Sequence, residues 1–281
     1  MEWISALYTR DGKTVYALIH NEYQGYKHGS TICPSGVYEK CWYNAVTLAI
    51  STDGGRNFHH APAPNQFVAT IPERYKPNGG QAGMFSPSNI VRSPGGFYYS
   101  MVHTIGYDHK GGVCLMRTTD LANPRSWRGW DGSGFNLEFK DPYTSKDAGP
   151  QCTFIDHRDI QEMSTSLTYN TYLNKYVLVG YGTDYDRLSR RSVYGIYFSV
   201  SDDLLHWSGR RLLKEVVLPW TYHCGGPDPN LYFSVLDPES TSRSYDRVGK
   251  TAYLYFTRLN YGGCELGPDR DLLRFPIEFS K

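Results

Sequence analysis

Four times along its 281 residues the chain runs through one order of events. A strand opens, a turn follows, a second strand rich in Tyr and Val returns, and after a loop a third strand leads into a turn and a short last strand. The first pass reads "EWISALYTRDGKTVYALIHNEY" then "YNAVTLAISTDGGRNF", and the second "MFSPSNIVRSPGGFYYSMVHT" then "GVCLMRTTDLANPRSW". The third reads "EMSTSLTYNTYLNKYVLVGYG" then "YGIYFSVSDDLLHWSGRRLL". The fourth reads "DPNLYFSVLDPES", "KTAYLYFTRLNY" and "LLRFPIEF". The opening strands align on Leu7, Ile90, Leu167 and Leu231, and "RDG", "SPGG", "YLN" and "DPES" supply residues that tolerate tight turns. Third strands end alike, at Ser51-Thr52-Asp53, Thr118-Thr119-Asp120 and Ser201-Asp202-Asp203, each followed by a turn aromatic, Phe58, Trp127 or Trp207. Strand units repeated at this spacing predict an all-β protein, a β-propeller, as one domain over residues 1–281. Five blades are expected of the parent ring, four of them clear in this chain, which opens mid-blade as though an N-terminal segment preceded it.

Composition agrees and narrows the function classes. Aromatic residues make up 15 % of the chain, 24 of them Tyr, and charged residues only 20 %, a balance that suits half-buried strands and many turns. A formal net charge of +1 offers no electrostatic case for nucleic acid, and no Lys or Arg run interleaves with aromatics. No apolar run approaches the roughly 20 residues of a membrane span. "MEWISALYTR" enters strand sequence at once, so an extracellular or periplasmic location is expected only if a signal peptide once preceded it. Six cysteines are scattered without a CxxC, which favours free or structural thiols over a metal site. Cys33 and Cys41 share one loop and are candidates to pair; connectivity otherwise stays open. "GGVCLM", "YGGCEL" and "HCGGPD" have no helix after them, so nucleophile-elbow and phosphate-loop readings fail.

"SDDLLHW" at 201–207 resembles the S-x-D-L-x-x-W element of the five-bladed propeller glycoside hydrolases, the family 43-like arabinanase and β-xylosidase group with its invertase relatives. "SPSNIVRSPGGFYYSMVH" and "STSLTYNTYLNKYVLVGY" are similar to the opening hairpins of their blades, and "STDGGRNF" at 51–58 to the Asp-box turn of sialidase propellers. The resemblance covers most of the chain as architecture, through short motifs that speak for fold more than for catalysis. It implies hydrolysis of a glycosidic bond with inversion, no cofactor, and a carbohydrate as the only partner, with neither nucleic acid nor membrane. A structural ion on the propeller axis is the one exception left open.

In a propeller, first-strand starts and second-strand ends converge on one face. That rule selects Glu2, Ser86, Glu162 and Asp228 at starts, and His20, Asn21, Glu22, His103, Tyr181 and Arg258 at ends. Glycoside hydrolysis needs two carboxyl groups. Glu162, in "QEMS", stands where the resembled family keeps its general acid, although the family's Gly-Pro neighbours are absent; the plainer reading is a solvated strand-end glutamate. For the second carboxyl the candidates are Asp228, whose flanking prolines also suit a simple turn, and Glu22. Glu2 occupies a start like that of the family's pKa-tuning Asp. Trp3, His20, Asn21, Ser86, His103, Tyr181, His223 and Arg258 complete the expected substrate-binding set. His20 and His103 recur at equivalent blade positions, where a lone histidine would more simply be structural, and Arg258 suits a carboxylate or an acidic sugar. Trp42, Tyr107, Trp220 and Tyr222 offer rings for stacking on sugar faces. The long stretches 59–84 and 128–160 are expected to shape the pocket rim as loops. A carbohydrate-binding propeller without turnover is the alternative.

Overall fold

A computed structural model describes all 281 residues. Nearly all regular structure is β, in antiparallel meanders of the kind that make propeller blades. The chain forms two compact units, Met1–Ile155 and Asp156–Lys281.

The first unit holds two blades in one sheet. Strands β1 (Glu2–Thr9), β2 (Val15–Gln24) and β3 (Cys41–Ser51) pair antiparallel, in the order the first pass of the repeat predicts. Their alternating buried positions place Leu18, Val46 and Leu48 in the core. The second blade is β4 (Gly80–Phe85), β5 (Tyr98–Ile105) and β6 (Gly111–Thr118), joined to the first by parallel pairing of Cys41–Asn44 with Gly80–Gly83. Gly83 sits at φ +120°, and a side chain there would collide with the Asn44 backbone, so only glycine allows this approach.

Two expectations change here. The second blade's opening strand, aligned on Ile90, is split: β4 ends at Phe85, and Val91–Arg92 resumes the pairing with β5. Pro87 lacks an N–H and Ser86 sits at φ +41°, which together break the ladder. The stretches 59–84 and 128–160 are also more than rim loops. His59–His60 and Phe67–Ala69 pair with β3, and Arg128–Gly129 pairs with β6, supplying outer strands to both blades. Trp127, 1 % exposed, anchors that second edge in the core with Met84 and Met116.

The second unit opens with a one-turn helix, α1 (His157–Ile160), and then a four-stranded meander, β7 (Ser166–Asn170), β8 (Lys175–Asp186), β9 (Arg191–Ser201) and β10 (Arg211–Glu215). A three-stranded sheet follows: β11 (Asn230–Leu236), β12 (Thr251–Gly262) and β13 (Glu265–Glu278). Pro268 and Pro276 lie in β13, an edge strand, where a missing N–H costs no ladder bond. Phe233, Leu254 and Ile196 are fully buried at the centre of this unit's core.

Both units carry the repeated turn. Ser51 donates to Asp53, whose Oδ1 accepts the N–H groups of Arg56 and Asn57 at 3.0 Å each. Ser201, Asp203, Leu205 and His206 repeat the pattern, with Leu205 and His206 N–H at 2.9 and 2.8 Å. Burial works against the Asp203 charge, yet those donors hold its carboxyl down at about 2. The motif is a structural clasp in both places.

All six cysteines are paired, Cys33–Cys41, Cys114–Cys152 and Cys224–Cys264. Of the expected free or structural thiols none is free, and Cys33 and Cys41, the candidates to pair, are bonded. No helix is long and apolar enough to cross a membrane.

Candidate functional sites

At the end of β2 the pleat alternates burial. His20, Glu22 and Gln24 turn inward; Asn21 and Tyr23 face the other way. Glu22 is 6 % exposed, and an ionised carboxylate this deep needs donors. It has three: Trp3 Nε1 at 3.1 Å to Oε2, and Gln24 Nε2 and the Tyr38 hydroxyl, both at 2.5 Å to Oε1. Burial pushes the carboxyl up, but the bonds from Tyr38, Gln24 and Trp3 outweigh it and hold Glu22 below the ordinary carboxylate value. Tyr38 pays in the opposite sense: burial and the Glu22 charge push its phenol far above normal.

His20 is wedged beside it. Its Nε2 lies 2.6 Å from Asn44 Nδ2 and 4.0 Å from Glu22 Oε2, and its Nδ1 lies 3.0 Å from Ser86 Oγ. Burial, against the pull of Glu22 and Asn44, pushes the imidazole below its ordinary value. Asn44, wholly buried, accepts from Trp42 Nε1 at 2.8 Å. Phe85 packs edge-on against His20 and Trp42, and against His103 at 6.0 Å, so the two repeat-related histidines flank one ring. Ser86 is exposed and Trp3 is 52 % exposed, so this cluster opens to solvent through a hydroxyl and an indole. Trp3, His20, Glu22, Ser86 and His103 are therefore brought together. Glu2 and Asn21 stand apart, bonded to each other at 2.8 Å, with Glu2 also 3.2 Å from His60. Asn21 lines a different cavity of about 580 Å³, walled by Tyr23, Tyr43, Tyr75 and Tyr143.

In the second unit a cavity of about 260 Å³ is lined by His157, Gln161, Glu162, Tyr181, Tyr194 and Trp220, among others. Helix α1 ends by turning Gln161 to φ +51°; its side chain then clamps β8, donating to Thr183 O at 2.8 Å and accepting from Thr183 N at 2.9 Å. That two-way bond sets half-buried Glu162 beside Tyr181. Burial, with the Glu162 charge added, pushes the Tyr181 phenol well up, and Trp220 meets Tyr181 edge-on at 5.0 Å. A carboxylate against a Tyr and Trp wall is a setting that accommodates a sugar ring. Glu162 is the one carboxylate among the residues lining this cavity.

The remaining candidates lie elsewhere in the unit. Asp228 accepts the Tyr261 N–H at 3.1 Å, and Arg258 is bound to Asp271 at 2.6 Å and to Asn260 at 3.1 Å. Asp228 precedes β11, which brings Asn230 opposite Arg258. His223 is exposed in the turn before the Cys224–Cys264 disulfide. No group of three or more His, Cys, Asp or Glu side chains is arranged to hold a metal.

Three contributors escaped the sequence reading: Gln24, Tyr38 and Asn44. Only Asn44 left a signal there, as a poor strand former inside the apolar run "CWYNAVTLAIS". Tyr38 lies in a loop whose path depends on the disulfide behind it.

No protein-family model matches the sequence, and no curated protein matches it either. Among solved structures the chain is similar to a glycoside hydrolase at 10 % identity and TM-score 0.47, covering 98 % of this chain and 71 % of that one. It is similar to the GH32 β-fructofuranosidase of Bombyx mori at 12 % identity and TM-score 0.45, with 90 % of this chain and 42 % of that one covered. A GH43 β-xylosidase/α-arabinofuranosidase from a compost microbial metagenome, in complex with xylotriose, is similar at 11 % identity and TM-score 0.44, with 90 % and 69 % covered.

Proposed function

We propose that the chain is a glycoside hydrolase acting on a poly- or oligosaccharide, with Glu162 as general acid. The observation that carries this reading is the placement of the Glu162 carboxylate in a cavity of about 260 Å³ beside Tyr181 and Trp220. In this reading the aromatic wall receives the apolar face of a sugar and the carboxyl beside it protonates the glycosidic oxygen. Inversion follows the resembled family. Asp228, in the same unit as Glu162, is the candidate for the second carboxyl.

The test is hydrolysis of a panel of plant and algal oligosaccharides by the parent chain and by Glu162→Gln, Glu22→Gln and Asp228→Asn. Loss of general acid catalysis typically costs 10²–10⁴-fold, and a fall of that order in kcat for Glu162→Gln, with folding intact, is the expected result. Turnover that survives the substitution would remove Glu162 from the role.

One observation favours a second reading, a sugar-binding propeller without turnover: no second carboxylate lines the Glu162 cavity. Binding of an oligosaccharide with no hydrolysis by the parent chain would support it. Three disulfides fit an oxidising, extracellular or periplasmic setting under either reading.

A further inference from the structure

The hydrogen-bonded chain from half-buried Trp42 through buried Asn44 and His20 to exposed Ser86 contains a proton whose position the neighbours decide. Trp42 Nε1 can only donate, and the network therefore assigns Asn44 Oδ1 to it, at 2.8 Å. The Asn44 NH₂ then faces His20 Nε2 at 2.6 Å, and Nε2 must accept. A neutral imidazole that accepts at Nε2 carries its proton on Nδ1, 3.0 Å from Ser86 Oγ. Ser86 Oγ thus accepts from His20, and its own proton is turned away from the ring, on the exposed side.

Two contacts compete. Glu22 Oε2, 4.0 Å from Nε2, draws a proton toward that nitrogen, but it is beyond hydrogen-bond distance and does not displace the Asn44 NH₂ at 2.6 Å. The Ser86 backbone N–H lies 3.2 Å from His20 Nδ1, and serving it would move the ring proton to Nε2, against the Asn44 NH₂ at 2.6 Å. Flipping the Asn44 amide to receive that proton would set its NH₂ against the Trp42 N–H at 2.8 Å. Each alternative sets two donors against each other over a shorter distance than the one it relieves, so the Nδ1–H form prevails.

We propose that Asn44 is a positioning residue that locks His20 as the neutral Nδ1–H tautomer, so that Ser86 presents its hydroxyl proton outward as a donor to a ligand acceptor oxygen. The arrangement excludes Ser86 as an activated nucleophile, since its hydroxyl donates nothing to His20. The ligand's being a sugar rests on the carbohydrate reading above; the tautomer does not.

Imidazole ¹⁵N spectroscopy of the intact chain tests it directly, with His20 assigned by comparison with His20→Gln. The expected pattern is a protonated Nδ1 and an unprotonated Nε2 at neutral pH. In Ser86→Ala the tautomer should persist, because Asn44 sets it. In Asn44→Asp the carboxylate accepts at Nε2, and the proton should move there. A protonated Nε2 in the parent chain, or a switch in Ser86→Ala, would overturn the assignment. Since the parent spectrum alone decides, an unfolded Asn44→Asp chain does not protect the idea. Ser86→Ala should also weaken binding of an oligosaccharide from the panel, followed by calorimetry, and an unchanged affinity would remove Ser86 as a donor.

Discussion

Glu22 and His20 share a buried cluster, and in it the pull of the Glu22 carboxylate on a His20 proton is overcome by burial. Both depart downward from their ordinary values, Glu22 because three donors outweigh its burial, His20 because burial outweighs the nearby carboxylate. Folding therefore binds fewer protons than unfolding at either residue. The His20 contribution is complete above the ordinary histidine value of 6.5 and is lost as pH falls from there through its lower folded value. The Glu22 contribution is complete above 4.5 and is lost at more acid pH. Denaturant midpoints followed across pH should show two limbs of falling stability, and His20→Gln should abolish the upper one. Tyr38→Phe removes a hydrogen bond to a buried anion, with an expected cost of about 1.5–3 kcal/mol at neutral pH. It should also move the lower limb to higher pH. An unchanged midpoint would mean that water replaces the Tyr38 hydroxyl. Asn44 was legible in the sequence as an oddity, a polar residue in a strand of Val, Leu and Ile, but its role was not. The partner that explains it, His20, is 24 positions away and on another strand.

At the scale of elements, the strand order and the Asp-box turns were readable because their determinants are local. Ser51, Asp53, Arg56 and Asn57 satisfy one another within seven residues, and the same chemistry recurs at Ser201–His206. The junction between the first two blades was not readable. It depends on Gly83 passing against Asn44, residues from strands whose pairing no local signal announces. Gly83→Ala forces a Cβ into that backbone and imposes side-chain strain at φ +120°; thermal denaturation should show a loss of several °C or failure to fold. A variant as stable as the parent would mean that β3 and β4 can separate at that point. The Cys33–Cys41 disulfide closes the loop that delivers Tyr38 to Glu22. Replacing both cysteines with Ala should cost about 2–3 kcal/mol by loop entropy. The same variant should reproduce the Tyr38→Phe acid limb, a coupling that a remote, purely structural disulfide would not produce.

Across the whole molecule, the split opening strand at Ser86-Pro87 and the outer strands within 59–84 and 128–160 were not placed by the repeat, while the all-β class follows from alternating strands with turns between them. Disulfide pairing shows the opposite case. Six cysteines allow 15 connectivities, and the sequence singled out one pair, because only Cys33 and Cys41 are close along the chain. Cys114–Cys152 and Cys224–Cys264, separated by 38 and 40 positions, each restrain a long loop worth about 4 kcal/mol in the unfolded ensemble. Reductant should therefore lower the denaturant midpoint of the chain markedly, and insensitivity to reduction would show that the reduced loops stay ordered through their own packing. What the sequence by itself determined was whatever contiguous residues settle among themselves, strand periodicity and turn chemistry; Glu162, expected at a strand head, lies instead in the turn after α1, four residues before β7. Tertiary structure alone decided which donors surround Glu22, which nitrogen of His20 holds a proton, and that Tyr181 and Trp220 wall the Glu162 cavity. Those properties belong to pairs far apart in the chain, and in a water-poor interior it is the neighbour, and not the residue, that sets charge and protonation.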